Sequence, residues 1–364
     1  MPFRKLKIVM TKSKLLIFFN FLITVVSVFI LIILTAQLSE ACTRCVYKGP
    51  DYTIITGRSM DWMEDTQSNL WIFPQGMNRN GNGGENSLTW VSKYGSVVTS
   101  GYESGSADGM NEKGLVANLL YLAESEFGNP VASKPNLSIG GWVQYVLDNY
   151  ATVSEAVDAL SKDEFTLIAP VLPNGSKSTL HLAVSDVTGD NAIFEYIGGK
   201  LVIHHSPEYQ VMTNSPVFDQ QLALNEYWKN IGGLVMLPGT NRASDRFVRA
   251  SFYIGAVTQT SDELESVAAV FSVMRNVSVP LGISIPGQPN IASTIWRTVA
   301  DQKNKVYYFE STKTPNVFWV DMKDIDFSAS APVKKLTMTG GKIFAGNTVD
   351  QFEPSAPFVF MSAK

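Results

Sequence analysis

From residue 42 to about residue 121 the apolar residues come in short β-rich runs, YTIITGRSM, NLWIFPQG, SLTWVSKYGSVVTSGY and GLVANLLYL, punctuated by the turn-forming GPD, NGNGG and ADGMNEKG. That rhythm predicts an antiparallel sheet. Over residues 140–161 the spacing becomes helical, in two short pieces divided near Thr152, with Ser154 as the candidate N-cap. Two strands then flank the turn-like DVTGDN within TLHLAVSDVTGDNAIFEYI. Helical patterns return in FDQQLALNEYWKNI, ASDRFVRASFYIGAV and SDELESVAAVFSVMRNV, and the chain closes on the strand-like STIWRTVADQKNKVYYFES and NVFWVDM. Runs of like elements disfavour a regularly alternating parallel sheet and predict an α+β fold whose sheets are covered by helices. With no repeat and no linker in it, residues 42–364 are expected to form one domain.

Ahead of this pattern, residues 15–36 form an almost charge-free apolar run behind Arg4, Lys5, Lys7, Lys12 and Lys14. The small residues of SEA follow at positions that a signal peptidase prefers, so residues 1–41 are expected to be an export signal cut after Ala41. The product would then be periplasmic or secreted. An uncut signal anchor is the competing reading, because 22 apolar residues are enough to span a bilayer, and membrane association would then run through the leader alone. A lipoprotein reading meets Ser39-Glu40, a poor match to a small, apolar lipobox.

Composition narrows the field. An apolar content of 45% with 11% aromatics is ample for a sizeable core, and two cysteines cannot staple a chain of 364 residues. The leader carries five basic residues and one acid, so its loss moves the formal charge from −4 to −8. No basic stripe remains, which argues against a nucleic-acid partner.

The usual catalysts are scarce. The three histidines, His181, His204 and His205, lie in no metal-ligand or triad-like motif, and His181 alternates with apolar neighbours as a packed strand residue does. Walker, GxGxxG, HExxH and GxSxG motifs are absent from the sequence. A hydrolase without a catalytic histidine still needs a base, and the α-amine of a newly exposed N-terminus is one, with an ordinary pKa of about 7.7–8.0. Cleavage after Ala41 would put a thiol and such an amine on the single residue Cys42. A hairpin would carry Arg58, sixteen residues on, back beside the first strand, where its charge lowers the thiol pKa; Asp61 would orient the ammonium.

The Cys-Thr-Arg start, GRSMDW, ADGMNEKGL, VMTNSPVFDQQL, LPG followed by SDRFVRA, and the late DQKNKVYYF resemble, in this order, the choloylglycine hydrolase family of N-terminal-nucleophile amidases, which contains penicillin V acylases and bile salt hydrolases. The resemblance implies a four-layer αββα sandwich with two antiparallel sheets. It assigns Cys42 as nucleophile, Arg58 as the arginine beside it, Asp61 as the holder of the amino group and Arg246 as a second active-site arginine. Asn214 would form the oxyanion hole with the backbone N–H of Tyr121; such donors are worth roughly 3–4 kcal/mol each. It implies a homotetramer with neither metal nor organic cofactor.

The substrate reading that follows is a linear, non-peptide amide of small-molecule size. Tyr121, which stands where penicillin V acylases carry tyrosine, tilts the acyl group toward phenoxyacetyl or a fatty chain, acyl-homoserine lactones included. Conjugated bile salts are the main alternative. Met60, Trp62 and Trp71 are candidate pocket residues with an equal claim on the core. Two readings from other classes stay open: a membrane-anchored binding protein, and a thiol-disulfide enzyme using Cys42 with Cys45, although strand alternation would point these two thiols to opposite faces.

Overall fold

The computed structural model describes residues 42–172, 175, 177–284 and 292–362; the leader lies outside the described residues. Its first half supplies β1 (Thr43–Lys48), β2 (Ile54–Trp62), β3 (Leu70–Phe73), the small pair β4 (Asn78–Asn80) and β5 (Thr89–Val91), then β6 (Ser96–Gly101), β7 (Gly105–Asn111) and β8 (Val116–Tyr121). After β9 (Asn136–Ser138) come α1 (Trp142–Asn149), α2 (Val153–Leu160), β10 (Thr166–Ile168), and the strands β11 (Leu180–Ser185), β12 (Asn191–Ile197), β13 (Lys200–His205) and β14 (Val211–Met212). Three helices, α3 (Phe218–Ile231), α4 (Ala243–Ala256) and α5 (Glu263–Asn276), precede β15 (Ser293–Asp301), β16 (Val306–Ser311) and β17 (Val317–Asp321). The short strands β18 (Lys334–Leu336), β19 (Gly346–Asn347) and β20 (Glu353–Pro354) finish the chain.

Two large sheets result: a seven-stranded one in the order β14-β1-β2-β15-β16-β17-β19 and a nine-stranded one in the order β13-β12-β11-β8-β7-β6-β3-β18-β20. Between their facing sides Met60, Trp296, Ala300 and Tyr307 of the first sheet join Val97, Met110, Val116 and Ile193 of the second. Helices α4 and α5 pack on β1, β2 and β15, while α1 and α2 pack on β7, β8 and β12. The layers are therefore αββα, with both sheets almost wholly antiparallel. Burial on both faces is why β3, LWIF, reads as a continuous apolar run; β2, equally buried, carries Arg58, Ser59 and Asp61 inside the protein instead.

Three local expectations change. The break between α1 and α2 falls as predicted, but its cap is Thr152, whose side chain accepts the Glu155 N–H; Ser154 lies inside α2. ADGMNEKG is mostly strand: Ala107–Asn111 belongs to β7, with the turn confined to the residues after it, because Asp108 and Asn111 satisfy their polar groups inside the protein. KLVIHH, unassigned from its pattern, forms β13 at the sheet edge, where half-exposed positions blur the apolar signal.

Candidate active site

The first hairpin builds the centre of the site. Register pairs Thr43 with Ser59 and Arg44 with Arg58, which sets Cys42, just ahead of β1, beside Met60. Along β2 the period of two sends Arg58, Met60 and Trp62 toward the space between the sheets, where all three line one cavity with Cys42. Ser59 and Asp61 point the other way, toward Thr294 and Arg246. A bulge in β15 between Thr294 and Trp296 serves both faces: Thr294 Oγ1 donates to Asp61 at 2.5 Å, and the Trp296 ring lies under the Arg58 guanidinium, 4.5 Å from its centroid.

Cys42 is buried, with Arg58 Nη2 at 3.8 Å from its Sγ, Met60 Sδ at 3.9 Å and the Asp61 carbonyl oxygen at 3.7 Å. Burial pushes its thiol pKa up, and the Arg58 charge opposes that rise. Arg58 also donates to the Leu119 carbonyl at 3.0 Å, yet its Nε and Nη1 have no hydrogen-bond partner among the described residues. A buried guanidinium with unused donors beside a thiol favours any negative charge that forms there.

The backbone of Cys42 is held from both ends. Its nitrogen donates to Asn214 Oδ1, and its carbonyl accepts from Arg246 Nη1 at 2.7 Å. Arg246, wholly buried near the start of α4, also donates to Thr43 Oγ1, to Asn214 Oδ1 at 3.1 Å and to the Asn241 carbonyl at 3.0 Å. Asn214 Nδ2 in turn donates to the Tyr121 carbonyl at 2.7 Å, so these three contacts together fix the orientation of the amide. The segment bearing Asn214 is pinned by Gln221, which donates to the Asn214 and Pro216 carbonyls, and by His181, whose Nε2 sits 2.8 Å from the Thr213 carbonyl oxygen.

The recorded partner of the Cys42 nitrogen is Asn214, while the Asp61 carboxylate faces Thr294, Ser59 and, at 3.7 Å, Arg246. Burial raises the Asp61 pKa to about 6 against the opposing pull of Arg246. Arg246 is itself lowered by burial, with Asp61 opposing.

Cys42, Arg58, Asp61, Asn214 and Arg246 thus converge from four separate stretches of sequence, with Tyr121 at the end of β8 against them. Met60, Trp62 and Tyr121 line the cavity, and the Trp62 and Tyr121 rings stand 6.0 Å apart. Trp71 does not; it is buried in the second core against Phe73 and Phe358. The cavity encloses about 710 Å³, counting its opening to solvent, and its other walls include Tyr102, Leu119, Leu172 and Met361. Those four carried no sequence signal, since each is an ordinary apolar or aromatic residue in a loop, a strand or the tail. The mainly apolar walls suit an apolar ligand group.

His181 is a packed histidine, bridging Glu195 at 3.0 Å and the Thr213 carbonyl. Cys42 and Cys45 are both free, and Cys45 faces Met274 of α5 at 3.4 Å, on the side away from the cavity. Among the described residues no group of three His, Cys, Asp or Glu side chains is gathered to hold a metal ion.

Comparison with known proteins adds three findings. The model of the choloylglycine hydrolase family, linear amide C–N hydrolases, matches residues 42–335. A penicillin V acylase of Pectobacterium atrosepticum is 52% identical over 353 residues, 90% of this chain and 94% of that protein, and a bile salt hydrolase/transferase of Clostridium perfringens is 26% identical over 310 residues, 77% of this chain and 92% of that protein. The structure of a penicillin V acylase from Agrobacterium tumefaciens superposes with a TM-score of 0.83 at 55% identity, covering 88% of this chain and all of that one.

Proposed function

Because the chain belongs to the choloylglycine hydrolase family and is a hydrolase of linear amide C–N bonds, we propose that it works as a penicillin V acylase-type amidase whose nucleophile is Cys42. Removal of residues 1–41 during export bares the Cys42 amine, and the mature protein, residues 42–364, acts in the periplasm or outside the cell. The family match beginning at Cys42 supports this boundary. The observation that carries the reading is the Cys42 thiol at the cavity wall, 3.8 Å from a buried arginine with unused donors, on a backbone gripped by Asn214 and Arg246.

In this reading the α-amine accepts the thiol proton and the thiolate adds to the amide carbonyl carbon. The resulting oxyanion is held by the second hydrogen of Asn214 Nδ2 and by the donor that the resemblance assigns to the Tyr121 backbone. Collapse breaks the C–N bond while the ammonium protonates the departing amine. Water then adds to the thioester, its proton passing to the amine, and the acid leaves as the thiol reforms. Asp61 acts through Arg246, neutralising the cation that fixes Cys42 and Asn214.

The apolar walls favour an aromatic or fatty acyl group, with acyl-homoserine lactones among the candidates. The test is an intact-mass measurement on the exported protein, paired with hydrolysis of penicillin V, glycocholate and a long-chain acyl-homoserine lactone. Activity confined to chains beginning at Cys42, with the phenoxyacetyl or fatty acyl amide cleaved faster than glycocholate, is expected. A fully active chain beginning before Cys42 overturns the nucleophile assignment, and faster cleavage of glycocholate makes it a bile salt hydrolase.

A further inference from the structure

The family match ends at residue 335, yet the chain runs on, and its tail returns to the cavity. After β20 pairs with β18, Phe358 packs against the second core, edge-on to Trp71 at 5.3 Å and Phe73 at 5.6 Å, and the buried Phe360 stacks on Trp90 at 6.2 Å. These rings anchor the next residue. Met361 N–H donates to the Ser104 carbonyl at 2.7 Å, and the Met361 carbonyl accepts from Ser138 Oγ at 2.5 Å. Met361 then lines the cavity that holds Cys42, together with Ser104, Gly105, Ile139 and Gly140.

The wall at that point has little of its own. A Cβ on Gly105 would stand 3.0 Å from the Gly140 Cα, so two backbones touch there without side chains to shape the space. A methionine supplies what they lack, being unbranched and adaptable, on a backbone that two hydrogen bonds hold still. We infer that Met361, delivered by a tail outside the family-matched region, is a specificity-determining wall of the acyl site that limits the length of the acyl group accepted. This inference rests on the reading of the cavity as the acyl site.

The experiment takes the mature protein, its Met361→Ala, Met361→Trp and Met361→Leu variants, and a series of N-acyl derivatives of one chromogenic amine from butanoyl to tetradecanoyl. Met361→Ala should raise kcat/KM for the longest acyl groups relative to the shortest by roughly tenfold, the lower end of what one methylene is worth in a hydrophobic pocket, and Met361→Trp should lower it comparably. Met361→Leu, which keeps the volume, should keep the wild-type profile. Affinities of the free acids for the same variants in a Cys42→Ala background give a second readout that needs no turnover, and the length preference should shift in parallel. Length profiles of Met361→Ala and Met361→Trp that superpose on the wild type overturn the inference while leaving the amidase reading intact. A wild-type protein that neither cleaves the series nor binds its acids overturns the acyl-site reading and this inference together.

Discussion

Two thiols three residues apart meet different surroundings in this chain. Cys42 looks into the cavity beneath Arg58, whereas Cys45 is sealed in the core against Met274, where burial lifts its pKa to about 12. A thiol so placed is a packing group and is not available as a redox partner. Cys45→Ser should therefore cost about 1–3 kcal/mol in stability through its buried hydroxyl while leaving kcat within a few-fold. Loss of activity in a variant that denaturant titration shows to be folded would restore the thiol-disulfide reading. Asp61 carries a second consequence. Its carboxyl titrates near 6 in the folded chain, raised by burial, against about 3.9 in an unfolded one. Between those values the folded state keeps a proton that the unfolded state has released, so stability falls as pH rises through the window and levels off above it. The unfolding free energy of wild type minus that of Asp61→Asn should fall by roughly 3 kcal/mol between about pH 3 and about pH 7. A difference that is flat or rises across the window contradicts the buried-acid account.

At the scale of elements, β2 organises the site by keeping its two faces apart: Arg58, Met60 and Trp62 toward the cavity, and Gly57, Ser59 and Asp61 toward helices and β15. Gly57 lies under α5, where a Cβ would come within 2.6 Å of Val270 and 2.8 Å of Met274. Gly57→Ala should therefore lift the helix and cost about 1–3 kcal/mol in thermal or denaturant unfolding. Because Arg58 faces the opposite side, KM should change little, and an unaltered stability would show that α5 does not press on the strand. The hairpin placing Arg58 beside β1 was legible from chain separation alone, as were α3, α4 and α5, whose spans match their apolar spacing closely. Asn214 and Arg246 reach Cys42 across 172 and 204 residues. No local pattern encodes such contacts, so those two positions came from the ordered likeness to a family. The strands from β18 onward are two or three residues long, too short for any period to register, and Met361 at the cavity was invisible for that reason.

On the scale of the whole molecule, most apolar side chains find a place in one of two large cores, but Leu234, Val235 and Met236, in the connection that follows α3, do not. Leu234 and Val235 are 92% and 88% exposed, Met236 is 57% exposed, and Tyr227 and Ile231 on α3 lie exposed nearby in sequence. This exposed apolar stretch lies in the connection between α3 and α4. We propose that it forms one two-fold interface of the homotetramer that the family likeness implies, since large exposed apolar patches mark association sites and a self-complementary patch on a two-fold axis covers both copies it joins. Light scattering on the mature protein should give the mass of four chains, and Leu234→Asp with Val235→Asp should shift it toward two chains, because the four carboxylates buried at each two-fold interface are costly without partners. The Cys42 cavity draws its described walls from elsewhere in the chain, so the dissociated variant should retain turnover, with any loss appearing first in thermal stability. A wild-type protein that runs as a monomer at working concentration, or a tetramer indifferent to both aspartates, would remove this surface as the assembly site.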